Sequence, residues 1–322
     1  MNLLRTCTTA LLLASSVFAA SPATAQVAFP TRPVHWIVPF PPGGAAEIVS
    51  RVIANRLRVV WGQPVIIDNK PGAGTIIATE AIAKAPPDGH TFGLVITAFV
   101  VNPSLRKLPY DTLKDLTGIT QMVSLNLALI AHPSAPYNTV AELVAYSKAN
   151  PGKVNFGTVG AGTSSHLFGE LLNLSTGSSL VHVPYKGSSP VQADLLGGSI
   201  PLMVDALASQ LPMITSGKMK VIALTGSKRH PDFPYPTTAE TFPGVIADSY
   251  FGLIAPAATP REIIVKLNRD IVDAMAAPEV RERILQLGLI PVGSSPAEFD
   301  ALVRAEIARW AKVIEQAKIK LD

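Results

Sequence analysis

The chain has 322 residues, of which 48% are hydrophobic and 16% are charged, and its formal net charge is +4. This small positive charge is scattered along the chain, which argues against a nucleic-acid-binding function. The hydrophobic share suits a compact α/β protein with large buried sheets.

The N-terminal segment is typical of a cleavable secretory signal peptide. Arg5 precedes an apolar run over residues 10–20, and Ala23-Thr24-Ala25 forms a small-residue cleavage site. We therefore expect residues 1–25 to be removed and the mature protein to lie in the periplasm. The single cysteine, Cys7, precedes the apolar run, so we expect no disulfide, cysteine metal site or acyl anchor in the mature protein. No later run reaches about twenty apolar residues, so we expect no membrane insertion.

The first predicted strand, residues 34–38, leads through a Pro/Gly loop into a helix over residues 45–60. In an open α/β sheet this junction lies at the carboxyl edge of a strand, where the first helical N–H groups have no intrahelical partner. These donors and the helix dipole favour an anion. Half of a ligand site is therefore expected at Phe40, Pro41, Pro42, Gly43, Gly44, Ala45 and Ala46.

Glu47, in the first turn of this helix, has two interpretations. It stands three residues after Gly44, where a glutamate caps a helix by reaching back to a loop N–H. Direct ligand contact is the second interpretation, but a carboxylate facing an anion would repel it. Capping is therefore favoured.

Two more strands, at residues 65–68 and 92–97, and a helix at residues 75–85 complete a first α/β unit. This alternation is typical of a parallel sheet with right-handed crossovers. Residues 102–111 are expected to form an irregular connection. Further ligand contacts are predicted where the second helix begins and where the third strand ends, at Gly72, Ala73, Gly74, Thr75, Thr97 and Ala98. For Thr75, a plain helix N-terminus is an equally good interpretation.

A second α/β unit is predicted after the apolar segment 122–131. Its strands are expected at residues 154–158, 180–183, 200–204 and 221–225, and its helices at residues 139–150, 164–176, 189–196 and 207–216. A strand at residues 250–255 returns the chain to the first unit, and helices at residues 261–277, 279–287 and 297–319 follow. We therefore predict a first lobe of residues 26–127 plus 250–322 and a second lobe of residues 128–249. Two connections between two lobes favour hinged closure around a ligand.

The second lobe has its own glycine-rich loop before a helix, residues 157–166. The spacing of its glycines fits neither a dinucleotide-binding fingerprint nor a P-loop. Its hydroxyl side chains suit helix capping and carboxylate binding equally well. We expect ligand contacts from Gly160, Gly162, Thr163, Ser164, Ser165 and His166.

Three other side chains follow predicted strands of the second lobe. Tyr185 could offer its hydroxyl or a ring wall to a ligand, or could pack in the cleft without contacting it. Lys186 could balance an anion, but an exposed lysine is the favoured interpretation. Asp205 would suit an ammonium group of a ligand, and otherwise it would cap a helix.

A catalytic or metal-binding function is not favoured. Ser164, His166 and Asp205 suggest a hydrolase triad, but the chain has no G-x-S-x-G elbow. The histidines show no i, i+4 pairing of the kind that binds metals. We predict no catalytic residue, no metal site and no cofactor.

The motif P-F-P-P-G-G-x-x-E-x-x-x-R, residues 39–51, resembles the signature of the tripartite tricarboxylate transporter receptors, also called Bug receptors. The resemblance covers essentially the whole mature chain. That family usually has Asp in place of Glu47, a small residue in place of Ser50 and a third glycine in place of Thr75. The resemblance implies an α/β fold like that of type II periplasmic binding proteins, in which each of two lobes is a mainly parallel sheet flanked by helices and the ligand cleft lies between the lobes.

The resemblance also implies a function. A receptor of this kind captures a small organic anion and delivers it to the membrane permease subunits of the transporter. The anion would be a dicarboxylate, an amino acid or an aromatic acid, and we expect the receptor to be a monomer. Two other functions stay open: a ligand-sensing receptor of a signalling system, and an exported enzyme that acts on a small acid with His166 or Asp205 as general base.

Overall fold

The computed structural model describes residues 29–185, 187–230 and 232–319. The predicted signal peptide, residues 1–25, and Lys186 lie outside the described residues. Within these ranges, helices flank two β-sheets.

The first sheet combines a parallel half and an antiparallel half. Its strands run, from edge to edge, in the order Ile290–Pro291 (β11), Leu116–Leu125 (β4), Ser249–Pro256 (β10), Thr91–Val95 (β3), Val34–Val38 (β1) and Val65–Asn69 (β2). β1 pairs in parallel with β2 and β3, whereas β10 runs antiparallel to both β3 and β4. The sheet is therefore mixed rather than mainly parallel, because β10 returns from the second sheet against the direction of its neighbours.

The second sheet is mixed in the same way. Its order is Leu180–Pro184 (β7), Val154–Thr158 (β6), Leu202–Ala206 (β8), Leu127–Ala131 (β5) and Lys220–Leu224 (β9). β6 pairs in parallel with β7 and β8, and β5 pairs antiparallel with β8 and β9. We use lobe 1 and lobe 2 for the elements built on the first and the second sheet. The exact bounds predicted for the lobes stay a prediction.

Helices connect and cover these strands. On lobe 1 they are Ala45–Trp61 (α1), Ile76–Ala83 (α2), which follows a 3₁₀ turn at Ala73–Thr75, Ala98–Leu105 (α3), Arg261–Ala276 (α9), Pro278–Gln286 (α10) and Pro296–Gln316 (α11). On lobe 2 they are Val140–Ala149 (α4), Ser164–Thr176 (α5), Ser188–Leu196 (α6), Leu207–Thr215 (α7) and Thr238–Thr241 (α8). None of the helices in the described ranges is long and apolar enough to cross a membrane.

The irregular connection expected at residues 102–111 is wrong in its first part, because α3 extends through Pro103. Proline cannot donate the backbone hydrogen bond that an interior helical position needs, which makes such a helix hard to foresee. The apolar residues Phe99, Val100 and Val101 are buried in the core, and α3 packs against α11. Burial of this apolar face offsets the missing hydrogen bond.

The chain crosses between the lobes at two adjacent points. Asn126 alone separates β4 of lobe 1 from β5 of lobe 2. The return strand β10 begins at Ser249, which pairs with Leu125 at the end of β4. The two crossings therefore lie side by side, at strand ends of the kind that serve as hinges.

The C-terminal helix α11 links the two lobes as well. It begins with a capping box between Ser295 and Glu298, and Pro296 occupies its first turn. Trp310 is fully buried, and its Nε1 donates a hydrogen bond of 2.7 Å to Glu306. This tryptophan belongs to the same core as Phe168 of α5, so the helix packs on lobe 1 and also contacts lobe 2.

Candidate ligand-binding cleft

A cleft of about 550 Å³ lies between the two lobes, and its volume suits a small organic molecule. Lobe 1 contributes the ends of β1 and β3, the 3₁₀ turn and one face of α3. Lobe 2 contributes the loop before α5, the start of α6 and the end of β8. Apolar side chains form much of the wall: Phe40, Ile96, Leu125, Leu127 and Phe251.

The structure brings many of the predicted ligand contacts together. Those that line the cleft are Phe40, Pro41, Gly72, Gly74, Thr75, Ala98, Gly162, Thr163, Ser164, Ser165 and Asp205. The others are near them in the chain but do not line it: Pro42, Gly43, Gly44, Ala45, Ala46, Ala73, Thr97, Gly160, His166 and Tyr185. Ligand contact by each of these residues stays a prediction.

In lobe 1, the side chain of Glu47 binds back to the loop before α1. Its Oε2 accepts a hydrogen bond of 3.3 Å from the N–H of Gly43, and its Oε1 accepts one of 2.7 Å from Nε of Arg51. Glu47 is buried, so this carboxylate serves the loop and the arginine, as the capping interpretation expects. Gly43 has a φ of +99°, in the left-handed region that glycine tolerates without strain.

In lobe 2, the loop before α5 satisfies several of its own amides. The N–H of Gly160 donates to Oγ1 of Thr158 at 3.3 Å, and the N–H of Gly162 donates to Nδ1 of His166 at 3.0 Å. The N–H of Thr163 donates to the Gly160 carbonyl at 3.4 Å. These three amides are therefore already engaged within the protein and are not the main donors for a ligand.

The first turn of α5 keeps its donors available. Thr163 caps the helix, with its Oγ1 accepting from the N–H of His166 at 3.5 Å and lying 3.0 Å from Oγ of Ser165. Within the described residues, the N–H groups of Ser164 and Ser165 and the hydroxyl of Ser164 meet no protein acceptor. A helix N-terminus with unpaired amides and a hydroxyl is a good carboxylate-binding group.

His166 lies behind this loop rather than in the cleft. Its ring stacks on that of His182, with 3.8 Å between the centroids and 13° between the planes. Burial lowers the pKa of His166 to about 4, and burial together with the neighbouring His166 lowers the pKa of His182 to about 3. With Nδ1 of His166 accepting from Gly162, the proton sits on Nε2, which lies 3.7 Å from Oε1 of Glu170. His166 is therefore a neutral acceptor that holds the loop.

Asp205, the penultimate residue of β8, brings a buried carboxylate to the cleft. Its Oδ1 accepts from the N–H of Ala206 at 2.7 Å, and its Oδ2 accepts from Nε2 of Gln210 at 2.8 Å. Burial raises the pKa of this carboxyl, against the effect of its hydrogen bonds from Ser188, Ala206 and Gln210. No cation of the described residues pairs with it. A ligand that carries a hydrogen-bond donor or a positive charge suits this end of the cleft.

Sequence reasoning predicted Ala98 of α3 but missed Asn102 and Arg106. Ala98 and Asn102, four residues apart, lie on one face of this helix, Arg106 follows as its C-cap residue, and all three line the cleft. Nδ2 of Asn102 donates to the carbonyl of Gly74 at 2.9 Å and so holds the neighbouring loop. Arg106 is exposed, and it is the one basic side chain among the described residues that lines the cleft. The four-residue spacing is present in the sequence, but the Asn102-Pro103 pair argued against a helix there, so the spacing was not interpreted as helical.

Tyr185 lies outside the lining because its hydroxyl is engaged elsewhere. It donates to Oδ2 of Asp194 at 2.7 Å. Three serines that the sequence did not single out line the cleft instead: Ser188, Ser209 and Ser249.

Two α/β lobes, joined by adjacent crossing strands and enclosing a cleft with helix N-termini on its wall, define a two-lobed solute-binding protein. Residues 49–319 match the family described as the tripartite tricarboxylate transporter family receptor. The chain belongs to this family. Its members are periplasmic solute-binding receptors and not enzymes. The predicted family, two-lobed α/β fold and receptor function are therefore confirmed, whereas the mainly parallel sheets are not, because both sheets are mixed.

Individual relatives agree along almost the full length of the chain. BugT of Bordetella pertussis is 37% identical over 307 residues, which is 94% of each protein. Rpa4515 of R. palustris, solved with adipate, is 35% identical with a TM-score of 0.79 and covers 91% of this chain and 99% of its own. MatC of Rhodopseudomonas palustris, solved with bound malate, is 32% identical with a TM-score of 0.75 and covers 89% of this chain and 100% of its own.

Proposed function

We propose that this receptor binds a dicarboxylate with an apolar middle and delivers it to the permease subunits of a tripartite transporter. The observation that supports it is the pairing of two anion-binding groups across an apolar wall. The first turn of α5 offers amide and hydroxyl donors from lobe 2, and Arg106 offers a guanidinium from lobe 1. Phe40, Leu125 and Phe251 suit the hydrocarbon segment between the two carboxylates.

A few hydrogen bonds to the carboxylates are enough to account for the expected affinity. A hydrogen bond to a charged group contributes about 1.5 to 3 kcal/mol, and micromolar binding corresponds to about −8 kcal/mol. Several such bonds, less the cost of ordering the ligand and the lobes, therefore reach micromolar affinity. Adipate and malate, which are bound in the two solved relatives named above, are both dicarboxylates, and adipate has the apolar middle proposed here.

A thermal-shift screen of the chain from Gln26 onward against carboxylic acids and amino acids tests the proposal, followed by calorimetry with adipate, malate and hexanoate. We expect at least one of the two dicarboxylates to bind and hexanoate to bind more weakly, because it lacks the second carboxylate. Arg106→Gln should weaken the dicarboxylate by about tenfold or more, while changing hexanoate little. Arg281→Gln, which removes an exposed arginine of α10 away from the cleft, is the matched control.

Two results would contradict this. If no acid shifts the melting temperature or gives a binding heat, the proposed ligand class is wrong. If Arg106→Gln affects hexanoate and adipate equally, the second carboxylate does not bind at Arg106. Delivery to a permease is tested in a deletion strain, which should lose uptake of the bound acid. Normal uptake with a lost transcriptional response would instead favour a sensing receptor.

A further inference from the structure

The loop before α2 has an uncommon backbone. Gly72, Ala73, Gly74 and Thr75 have φ angles of +127°, +47°, +61° and +77°. Glycine adopts this region without strain, but a β-branched residue such as Thr75 is an outlier there. Strain of this kind persists only where the surroundings enforce it, and it concentrates at ligand-binding sites.

Hydrogen bonds to neighbouring helices hold the loop in this conformation. Nδ2 of Asn102 donates to the Gly74 carbonyl at 2.9 Å. Oγ1 of Thr79 donates to the Thr75 carbonyl at 3.1 Å. The backbone of Thr75 is therefore fixed from both α2 and α3 while its side chain lines the cleft.

The hydroxyl of Thr75 has no partner in the described part of the chain. The residue is 6% exposed, and its Oγ1 is enclosed and makes no hydrogen bond. Thr75 is the N-cap residue of α2, yet in its left-handed conformation the side chain caps no helical amide. A buried hydroxyl without a partner destabilises the unliganded protein. An acceptor for this hydroxyl can therefore come from the cleft, which Thr75 lines.

We infer that Thr75 is a specificity-determining ligand contact, whose hydroxyl donates a hydrogen bond to an oxygen of the bound acid on the lobe 1 wall. The inference rests on the proposed function and narrows its ligand class. Acids with a carboxylate or hydroxyl oxygen at that wall pair with the threonine, whereas an acid with a hydrocarbon end leaves it unpaired. A site built to bind a polar substituent strongly rejects the analogue that lacks it.

Calorimetry with adipate and malate on three variants tests this. Thr75→Val keeps the shape and removes the hydroxyl, and we expect it to lower the affinity for the acid that binds by about tenfold or more. Thr75→Ser keeps the hydroxyl and should stay within about threefold of the unchanged chain. Thr259→Val removes another buried and unpaired hydroxyl, outside the cleft, and should leave affinity unchanged.

The melting temperature of the unliganded variants separates binding from folding. Thr75→Val breaks no hydrogen bond of the unliganded protein, so it should melt at or above the temperature of the unchanged chain. Unchanged affinity in Thr75→Val, with the unchanged chain binding adipate or malate, would overturn the inference and leave the proposed function standing. An equal loss in Thr75→Ser and Thr75→Val would assign Thr75 a shape-filling role and overturn it too. If the unchanged chain binds neither acid, the proposed dicarboxylate function fails and the inference fails with it.

Discussion

The stacked pair of His166 and His182 should make the stability of this protein fall as the pH is lowered from 7 to 5. Burial lowers the pKa of these rings from 6.5 to about 4 and to about 3. The unfolded chain binds protons below about pH 6.5, whereas the folded chain resists them until about pH 4. The two histidines therefore cost no stability above about pH 6.5, and the free energy of unfolding decreases as the pH falls from about 6.5 towards about 4.

The magnitude follows from these pKa values. Between pH 7 and pH 5, the preferential protonation of the unfolded state costs about 2 kcal/mol for the well-buried His166. His182 is only partly buried, and solvent screening reduces its share, so the pair together costs about 2 to 4 kcal/mol. This is a large part of the roughly 5 to 15 kcal/mol that stabilises an ordinary domain.

Urea unfolding at pH 7, 6 and 5 measures the effect in the unchanged chain and in the double variant His166→Asn, His182→Gln. The asparagine can still accept from the N–H of Gly162, and the glutamine can still bond to Oγ1 of Thr158, where Nε2 of His182 now lies at 2.7 Å. Carboxylates titrate alike in both proteins, so the difference between them isolates the two rings. If the free energy of unfolding falls equally in both between pH 7 and 5, the two rings do not carry the effect.

Four more outcomes are expected. Gly43→Val should cost about 1 kcal/mol of stability because φ is +99° there, whereas Gly44→Ala, with φ at −82° and open space around it, should leave stability unchanged in urea unfolding; equal costs would contradict this. Asp205→Asn should weaken an amine-bearing acid such as aspartate in calorimetry and spare adipate, and an equal loss for both would show a structural role. Trp310→Ala should cost about 3 to 5 kcal/mol because the ring is fully buried, and a loss below about 1 kcal/mol in urea unfolding would show that the helix is not anchored there. N-terminal sequencing of the exported protein should begin at Gln26, and any other start would refute the predicted cleavage.

The fold could be predicted wherever local patterns decide it. The strand at residues 154–158 and the helix at residues 164–176 have the bounds that apolar runs, a glycine loop and a threonine cap indicate. The direction of β10 could not be deduced, because it depends on where the chain re-enters the first sheet. The helix α3 could not be deduced either, since contacts with α11 outweigh the proline inside it.

The positions of the ligand loops could likewise be predicted, but not which of their amides stay available. The pairing of β6 with β7 brings His182 beside His166, and no sequence spacing shows that contact. Arg106 entered the cleft only because α3 is a helix. Local sequence patterns therefore predict which loops form the cleft, whereas tertiary packing determines which hydrogen-bond donors in the cleft are available to a ligand.

The loops before α1 and α5 share one hydrogen-bonding pattern, and this pattern affects where an anion binds. In both lobes the third residue of the helix accepts from the amide just before the cap: Glu47 from Gly43, and His166 from Gly162. Each pair removes that amide from the ligand and leaves those of the first two helical residues. Glu47 brings a carboxylate to its helix start, only partly offset by Arg51, whereas His166 is neutral. A carboxylate is therefore held more strongly at α5 than at α1, in agreement with a cleft that is lined by Ser164 and Ser165 but not by Ala45 and Ala46.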